Sequence, residues 1–455
     1  MAFLDERYLL ENKTAERLYQ EVGDLPIVDV HNHGDVKEIV DNKGWNDIWE
    51  VEAATDHYVW ELMRKRGIAE QLITGDVSNR EKWLALAEIF PDLAGNPTYE
   101  WIHLDLKRRF GIEQVICADT AELIWDKTKA ALGEERMKPQ QLLQEMKVTV
   151  MCTTDQPTSD LKYHQQASKE IKTIRILPTW RPDQAMNIEK KGWIEFVQEM
   201  GLCYEQDTTG LKGFLTALQQ SHDFFEENGC VASDHGLFVP YSHYLSEEKA
   251  ALIHRKAYNG NQLSPQEVKD YKAFLLEQFG QMNEKSGWVT QLHLGAVRDY
   301  RQKLFDNLGP DSGGDVSTQH IEITENLRYF LNRFDGRLKI VLYCIDPGHY
   351  PALATISRAF PQVSLGAAWW FNDSPYGMEN QLKYIGTVDL LANFAGMVTD
   401  SRKLISYGSR TEMFRRSLCN VLGNLVERGQ IPAQLAADLA VKLSYEQPLN
   451  LFFKD

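Results

Sequence analysis

The chain has 455 residues, of which 43% are hydrophobic and 25% are charged, and 49 Lys and Arg against 65 Asp and Glu give a formal net charge of −16. These values are typical of a globular protein with one large α/β domain or with two or three smaller domains. The acidic excess argues against binding to a nucleic-acid backbone, because such binding depends on Lys and Arg.

Membrane and secreted classes are also disfavoured. No apolar run approaches the roughly 20 residues that span a bilayer, and the N-terminus is charged from its fifth residue, so we expect neither an anchor nor a secretory signal. Dispersed cysteines without a CxxC motif favour reduced core thiols and a cytoplasmic location. They are Cys117, Cys152, Cys203, Cys230, Cys344 and Cys419.

Short β-rich runs alternate with longer helical patterns along the chain. Most of these runs are almost continuously apolar, as expected of parallel strands that are covered on both faces. Eight strands, each followed by helix, predict an α/β fold that is a (β/α)₈ barrel of TIM type. The predicted strands span 27–33, 148–155, 173–180, 229–235, 288–295, 339–346, 363–371 and 394–400.

The first strand is followed by the largest addition to the barrel. Residues 1–33 are predicted to form an N-terminal segment and the first strand, and residues 34–147 are too many for a loop. We therefore predict a helical insertion, with a capping box at Ser78 and Glu81 and with helices over 98–110, 121–132 and 139–146.

Residues 148–455 are predicted to complete the barrel, with a smaller helical insertion near 240–287. Helical signals in this part include the periodic segment 211–228 and capping boxes that begin at Ser264 and Ser409. Both insertions follow strands, so we expect both to stand over the C-terminal face of the barrel, where sites of this fold are built.

The first predicted strand ends in an HxH pattern. His31 and His33 project to the same side of a strand and can both reach one cation. A lone HxH pattern is often inert, but this one follows apolar residues and Asp29 at the end of the first of eight strands. The sequence therefore predicts a metal site here.

The eighth predicted strand ends in Thr399-Asp400-Ser401-Arg402. Asp400 is a carboxylate ligand on the strand that closes the barrel beside the first, although Asp is also a common helix N-cap. Its pairing with HxH favours the metal. Arg402 could bind an anionic oxygen, modulate the pKa of Asp400 or form a surface ion pair.

Other polar and aromatic residues share the same rim. We expect Arg181, His235 and His293 to have a role in the site, and we leave the role of Asp346 open. Trp369 and Trp370 are expected to form part of the pocket wall. Asp234 shares a strand end with His235. The Gly-rich segment 309–315 lacks a P-loop lysine, so we interpret this segment as a flexible rim loop.

Five motifs together resemble the uronate (glucuronate) isomerase family, a divergent branch of the amidohydrolase superfamily. The resemblance covers essentially the whole chain and is far more specific than HxH alone. The motifs are HNH at 31–33, DHYVW at 56–60, LPTWRPD at 177–183, WWFND at 369–373 and TDSR at 399–402.

The resemblance implies a division of roles. His31, His33 and Asp400 would hold one divalent cation, commonly Zn²⁺. Arg181 and His57 would receive the sugar carboxylate.

The family also implies catalytic roles for Tyr58 and Arg402, beside the carbons that exchange hydrogen, and for Asp400. His235 resembles the additional active-site histidine, although His293 competes for that assignment. The fourth strand ends in Ser233-Asp234-His235, without the Lys or Glu that bridges two metals in binuclear relatives, so a single ion is favoured.

The implied reaction converts D-glucuronate to D-fructuronate and, on the same resemblance, D-galacturonate to D-tagaturonate. A cation that contacts both oxygens stabilises an enediolate, a base moves the proton, and an arginine pairs with the carboxylate. The alternatives are a metal-dependent hydrolase or lactonase of the same superfamily and an inactive sugar-acid-binding barrel. The expected partner is a small hexuronate, not nucleic acid or membrane, and the expected assembly is a homo-oligomer.

Overall fold

The computed structural model describes residues 3–454. Within them, parallel strands form two sheets with the orders β1-β2-β3 and β4-β5-β6-β7. β5 and β6 are buried along their whole length, as parallel strands covered on both faces must be. The strands are β1 Ile27–Asp29, β2 Val148–Cys152, β3 Arg175–Leu177, β4 Ala232–Leu237, β5 Val289–Leu294, β6 Ile340–Cys344 and β7 Val363–Leu365.

Trp180 joins the two sheets. Its backbone N–H donates to Ala232 O at 3.2 Å, and Asp234 N–H donates to Trp180 O at 2.9 Å. β3 and β4 are therefore neighbours although no regular ladder connects them, and the strand order runs continuously from β1 to β7 as the barrel prediction requires.

Residues 394–400 are not the hydrogen-bonded strand that the sequence predicted. The segment is extended and lies between β7 and β1, since Ala395 N–H donates to Leu365 O at 2.9 Å and Asp400 N–H donates to His31 O at 3.2 Å. A regular ladder does not form because the Asp29 carboxylate accepts the Thr399 N–H at 3.0 Å and Asp400 has a φ of 50°. The segment was therefore placed correctly beside β1, but the prediction that it forms a regular strand was wrong.

Helices fill the region between β1 and β2. The capping box at Ser78 is confirmed, and so are the three helices predicted in this region. Apolar residues from the middle of this region, between residue 48 and residue 125, form a core of their own around Trp49, Trp83 and Ile102. With α1 before β1, these helices are α1 Lys13–Val22, α2 Val36–Asp41, α3 Ile48–Glu52, α4 His57–Lys65, α5 Asn79–Ile89, α6 Pro97–Phe110, α7 Ala121–Leu132 and α8 Pro139–Glu145.

The remaining helices pack around the strands and build the largest core. The helix predicted over 211–228 and the capping box at Ser264 are confirmed. The helices are α9 Lys162–Glu170, α10 Asp183–Met186, α11 Trp193–Cys203, α12 Leu211–Glu227, α13 Glu247–Tyr258, α14 Pro265–Ser286, α15 Gln302–Leu308, α16 Thr324–Arg333, α17 Tyr350–Ala359, α18 Pro375–Val388, α19 Ser406–Glu427, α20 Ala433–Val441 and α21 Gln447–Phe453.

The predicted start of α19 at Ser409 was wrong. The helix begins at Ser406, and Ser409 lies in its first turn with its hydroxyl donating to Ser406 O at 3.2 Å. A serine inside a helix can bond back to the preceding turn in this way, so the Ser-x-x-Glu pattern alone does not mark a helix start. Across residues 3–454, no helix is long and apolar enough to cross a membrane.

Candidate active site

A cavity of about 840 Å³ opens at the carboxyl ends of the strands, the position at which barrel enzymes build their sites. Its wall combines histidines, acids, arginines and tryptophans that are far apart in the sequence. Among the predicted residues, the lining includes His31, His33, His57, Arg181, His293, Trp369, Trp370, Asp400 and Arg402.

His31, His33 and Asp400 converge on one point of this cavity. Nε2 of His31 lies 3.0 Å and Nε2 of His33 lies 3.1 Å from the same oxygen, Oδ1 of Asp400. Backbone pairing produces the convergence, because His33 N–H donates to Ser401 O at 2.9 Å and Asp400 N–H donates to His31 O. Both histidines follow β1, which ends at Asp29, and do not lie on it.

The donor set suits a divalent metal. Two imidazole nitrogens and a carboxylate lie within 4.8 Å of one another. The other ring nitrogen of His33, Nδ1, is 2.6 Å from Thr154 Oγ1, which fixes the ring with Nε2 toward Asp400. Metal-binding histidines are commonly held by such a second hydrogen bond. The three side chains could therefore hold a metal ion without a large rearrangement.

Asp400 and His33 are held in the forms that bind metals. Burial opposes protonation of His31, but the charges of Asp234 and Asp400 outweigh it and raise the pKa, so a bound metal would replace a proton on this imidazole. Burial opposes ionisation of Asp400, but hydrogen bonds from the two histidines outweigh it and hold its pKa well below the usual range. Burial lowers the pKa of His33 to about 4, so this imidazole is neutral at pH 7. An ionised carboxylate and a neutral imidazole are the forms that bind metals.

Backbone strain is also present at this site. Asp299, Asp311, Trp370 and Asp400 all line the cavity and all have φ between 50° and 58°. Non-glycine residues rarely adopt this conformation, which persists where surrounding contacts enforce it and is common at functional sites. For Asp400, one such contact is Trp369, whose Nε1–H donates to Oδ2 at 2.9 Å.

Asp234 forms a second polar centre beside the first. Its Oδ1 accepts Nδ1–H of His293 at 2.6 Å, and its Oδ2 lies 3.0 Å from Nη1 of Arg181. Burial opposes the charge of Asp234, yet Arg181 and the neighbouring histidines hold its pKa well below the usual range. Burial lowers the pKa of His293. The pair is therefore a carboxylate and a neutral imidazole.

Arg181 lines the cavity but is already held by two carboxylates. Its Nε lies 2.9 Å from Asp183 Oδ2, in addition to the contact with Asp234. The guanidinium also packs over Gly236, where an added Cβ would lie 2.7 Å from Nη2. The cavity wall therefore presents the guanidinium in one fixed orientation.

His57 and Tyr58 open helix α4, and Asp56 caps it by accepting Tyr58 N–H at 2.9 Å. His57 lines the cavity. Tyr58 is not one of the lining residues, and its buried hydroxyl has no hydrogen-bond partner among residues 3–454. Burial, and then the charge of Asp400, raise the Tyr58 pKa well above the usual value, so the phenol stays protonated.

The structure does not bring His235 to the cavity. Its ring stacks on Phe279 of α14 at 5.6 Å, and its Nε2 is 2.8 Å from Ser233 Oγ. Side chains alternate along a strand, so Asp234 faces the barrel interior while Ser233 and His235 face the helical layer. His293, which the sequence left as the competitor, occupies the interior position.

Asp346 also lies outside the cavity wall. Its Oδ1 accepts Gly348 N–H at 2.8 Å and caps a short 3₁₀ turn, which is the structural alternative that the sequence left open.

Several charged residues of the wall were missed, among them Arg298 and Asp311. Arg298 lies shortly after β5 and stacks its guanidinium 4.3 Å from the ring centroid of Trp370. Asp311, in the Gly-rich rim segment, lies 3.4 Å from Nη2 of Arg402. The position of Arg298 after a strand was a usable signal, whereas the contact of Asp311 follows from a loop path that no local pattern reveals.

Together the fold and the cavity define a barrel-like α/β protein with a histidine–carboxylate cluster at the strand ends that could hold a metal ion. Comparison with known proteins is more specific. The model of the glucuronate isomerase family matches residues 1–452. A uronate isomerase of Thermotoga neapolitana is 61% identical over 451 residues, which are 99% of this chain and 100% of that protein.

Two solved structures that resemble this chain are also those of uronate or glucuronate isomerases. A crystal structure of uronate isomerase from Thermotoga maritima superposes with a TM-score of 0.98 at 60% identity and full coverage of both chains. Glucuronate isomerase from Caulobacter crescentus gives a TM-score of 0.96 at 25% identity, over 100% of this chain and 97% of that one. The chain belongs to the glucuronate isomerase family, a family of enzymes.

Proposed function

We propose that this protein interconverts aldo- and ketohexuronates, with D-glucuronate to D-fructuronate as the principal reaction and D-galacturonate to D-tagaturonate as a second. The observation that carries the proposal is the convergence of His31, His33 and Asp400 in a cavity that also holds several arginines. The histidine–carboxylate cluster would hold a metal that binds the reacting oxygens of the sugar. The arginine side chains would bind the sugar carboxylate, although the chain as a whole has a net charge of −16.

His31, His33 and Asp400 would hold a single divalent ion, and two imidazoles with one carboxylate favour Zn²⁺. When bound, such an ion supplies Lewis-acid polarisation of the carbonyl and hydroxyl oxygens of the substrate. Trp369 keeps Asp400 oriented by donating to its second oxygen.

Arg181 and His57 are our candidates for binding the substrate carboxylate. The two carboxylates that hold Arg181 prevent its guanidinium from turning, so the entropy cost of ordering this side chain is met before substrate binds. Arg402 has a longer contact, 3.4 Å to Asp311, so a substrate oxygen can replace Asp311 as its partner. We assign it to the oxygens near the carbons that exchange hydrogen.

Isomerisation requires a base that removes a proton from the carbon beside the carbonyl and delivers it to the original carbonyl carbon. His293 suits this role because its Nδ1–H is held by Asp234, so the basic lone pair lies on Nε2. We therefore assign to His293 the role expected for His235. Tyr58 remains our candidate proton donor, because its phenol stays protonated and its buried hydroxyl has no partner among residues 3–454. This role requires the side chain to turn into the cavity when substrate binds, since Tyr58 is not part of the cavity wall.

The rival functions are a hydrolase or lactonase, which would turn over a sugar lactone, and an inactive sugar-acid-binding barrel, which would bind without turnover. The purified protein loaded with Zn²⁺ should convert D-glucuronate to a ketose in a ketose-specific assay and should leave gluconolactone unhydrolysed above background. Lactone hydrolysis without ketose supports the first rival. Binding of glucuronate without either product supports the second.

Two further expectations remain proposals. The six cysteines are free in the structure, which supports a reducing, cytoplasmic compartment. Homo-oligomeric assembly stays a prediction that size-exclusion chromatography with light scattering would test.

A further inference from the structure

A second set of metal-ligating groups lies beside the first. His31, Asp234 and His293 each offer one donor atom within 4.8 Å of the others, and each side chain is at most 2% exposed. The nitrogen of His31 on this side is Nδ1, 3.7 Å from Asp234 Oδ2, whereas Nε2 faces Asp400. The two sets therefore share one imidazole through its opposite nitrogens.

The hydrogen bonding of this second set is incomplete. Nδ1 of His31 and Nε2 of His293 are buried and have no hydrogen-bond partner among the described residues. His293 faces Asp234 with its other nitrogen, Nδ1, which donates to Asp234 Oδ1 at 2.6 Å. Most buried polar atoms in folded proteins are satisfied, so the open Nδ1 of His31, 3.7 Å from Asp234 Oδ2, requires an explanation. Two imidazoles and a carboxylate form a ligand set that zinc and similar divalent ions accept.

Arg181 supplies the positive charge at this place. Its Nη1 is 3.0 Å from Asp234 Oδ2, the same oxygen that faces His31. The guanidinium is held there by Asp183 as well, and it cannot lose its proton at any physiological pH. A divalent ion on Asp234 Oδ2 would meet a fixed cation at contact distance in a buried site, where such repulsion is weakly screened.

We infer that Arg181 fills a second cation site formed by His31, Asp234 and His293, and that removal of its charge opens this site to a second divalent transition-metal ion. In the natural protein the guanidinium thereby keeps the cavity to one ion beside Asp400. It also leaves Asp234 free to orient His293. The inference concerns metal binding and does not depend on which sugar acid is the substrate.

Replacement of Arg181 leaves Asp234 buried without its strongest counter-charge. A buried carboxylate in that state either recruits a cation or takes up a proton. Because Nδ1 of His31 and Nδ1 of His293 both face it, recruitment of a divalent ion is the expected outcome, with release to solvent of the Nδ1 proton that His293 now donates to Asp234. The ion would be bound most firmly where His31 and His293 are both present.

The test is the metal content of Arg181→Met after saturation with Zn²⁺ and removal of loosely bound ions, measured by mass spectrometry against protein concentration. We expect about one ion per chain for the wild type and about two for the variant. With Mn²⁺ in place of Zn²⁺, the variant should also show the electron spin coupling of two neighbouring ions. Far-UV circular dichroism establishes that each protein is folded.

Three matched variants locate the second ion. Arg181→Lys keeps a positive charge and should remain at one ion. Arg402→Met removes another cavity arginine, which contacts Asp311 and not Asp234, and should also remain at one. Arg181→Met combined with His293→Ala should return to one ion because a ligand is missing.

The inference is overturned if folded Arg181→Met binds no more metal than the wild type, or if the wild type already binds two ions. It is also overturned if the second ion persists without His293. Should Arg181→Met fail to fold, Arg181→Gln removes the same charge with a polar side chain and is judged by the same stoichiometry.

Discussion

The ammonium group of Lys403 lies 3.1 Å from Asp56 Oδ2, and both side chains are buried. Asp56 uses its other oxygen to cap helix α4 at Tyr58, and Lys403 follows Asp400 by three residues. A second carboxylate, Glu52 of α3, is also 3.1 Å from the ammonium. This buried pair therefore ties the segment that carries Asp400 to the helix that carries His57 and Tyr58.

Lys403→Met should destabilise the protein strongly. Removal of one partner from a buried ion pair leaves uncompensated carboxylates and costs about 3–5 kcal/mol. Denaturant unfolding monitored by tryptophan fluorescence measures the change. The matched control is Lys37→Met, which breaks an exposed pair with Asp41 and should cost about 1 kcal/mol or less. Equal effects of the two substitutions would show that the buried pair has no special role.

Glu52 makes stability depend on pH. Burial raises its pKa from 4.5 to about 7, although Lys403 partly opposes the shift. The unfolded chain therefore releases this proton at lower pH than the folded protein, and the free energy of unfolding falls as pH rises from about 4.5 to about 7. Glu52→Gln should remove this contribution, so its stability relative to the wild type should increase across that range. A pH-independent difference between the two proteins would contradict the assignment.

Each of the substitutions His31→Ala, His33→Ala and Asp400→Ala should lower bound metal well below one ion per chain while the fold is retained. One missing donor opens a three-ligand site and weakens binding. Metal analysis and circular dichroism on the same samples provide the measurement. His235→Ala is the matched control, since this buried histidine lies outside the cavity and should leave metal content unchanged. Full metal occupancy in all three ligand variants would exclude the proposed site.

Tyr58→Phe should slow turnover by roughly 10²–10⁴ if the phenol acts as general acid. In deuterated water, the wild-type reaction should leave deuterium on the carbon next to the new carbonyl, because a base that holds the abstracted proton can exchange it with solvent. Mass spectrometry of the product detects the label. Full retention of substrate hydrogen, with a near-normal Tyr58→Phe rate, would favour a hydride shift and remove Tyr58 from the mechanism.

Local signals in the sequence were sufficient for most helices. The capping boxes at Ser78 and Ser264 and the apolar periodicity of α12 involve residues within a few positions of one another, so a single stretch of chain contains the whole pattern. The Ser409 pattern shows the limit of this reasoning, because the same four-residue motif also fits inside a helix that began earlier.

The site was harder to predict because its geometry depends on strand phase and on distant partners. His235 and Asp234 are adjacent in sequence, and only the exact phase of β4 decides which one faces the cavity. The pairing of Arg181 with Asp234 joins residues on neighbouring parts of the barrel, and no motif encodes it. The HxH pattern was predictable because both histidines and their spacing lie in one tripeptide.

Isomerisation of a hexuronate in this cavity can be followed by NMR spectroscopy of D-glucuronate incubated with the Zn²⁺-loaded protein. The anomeric proton signals of glucuronate should decline with time while the quaternary anomeric carbon of a ketose appears, and Asp400→Ala should suppress the change. Unchanged glucuronate after prolonged incubation with folded, metal-loaded protein would contradict the account.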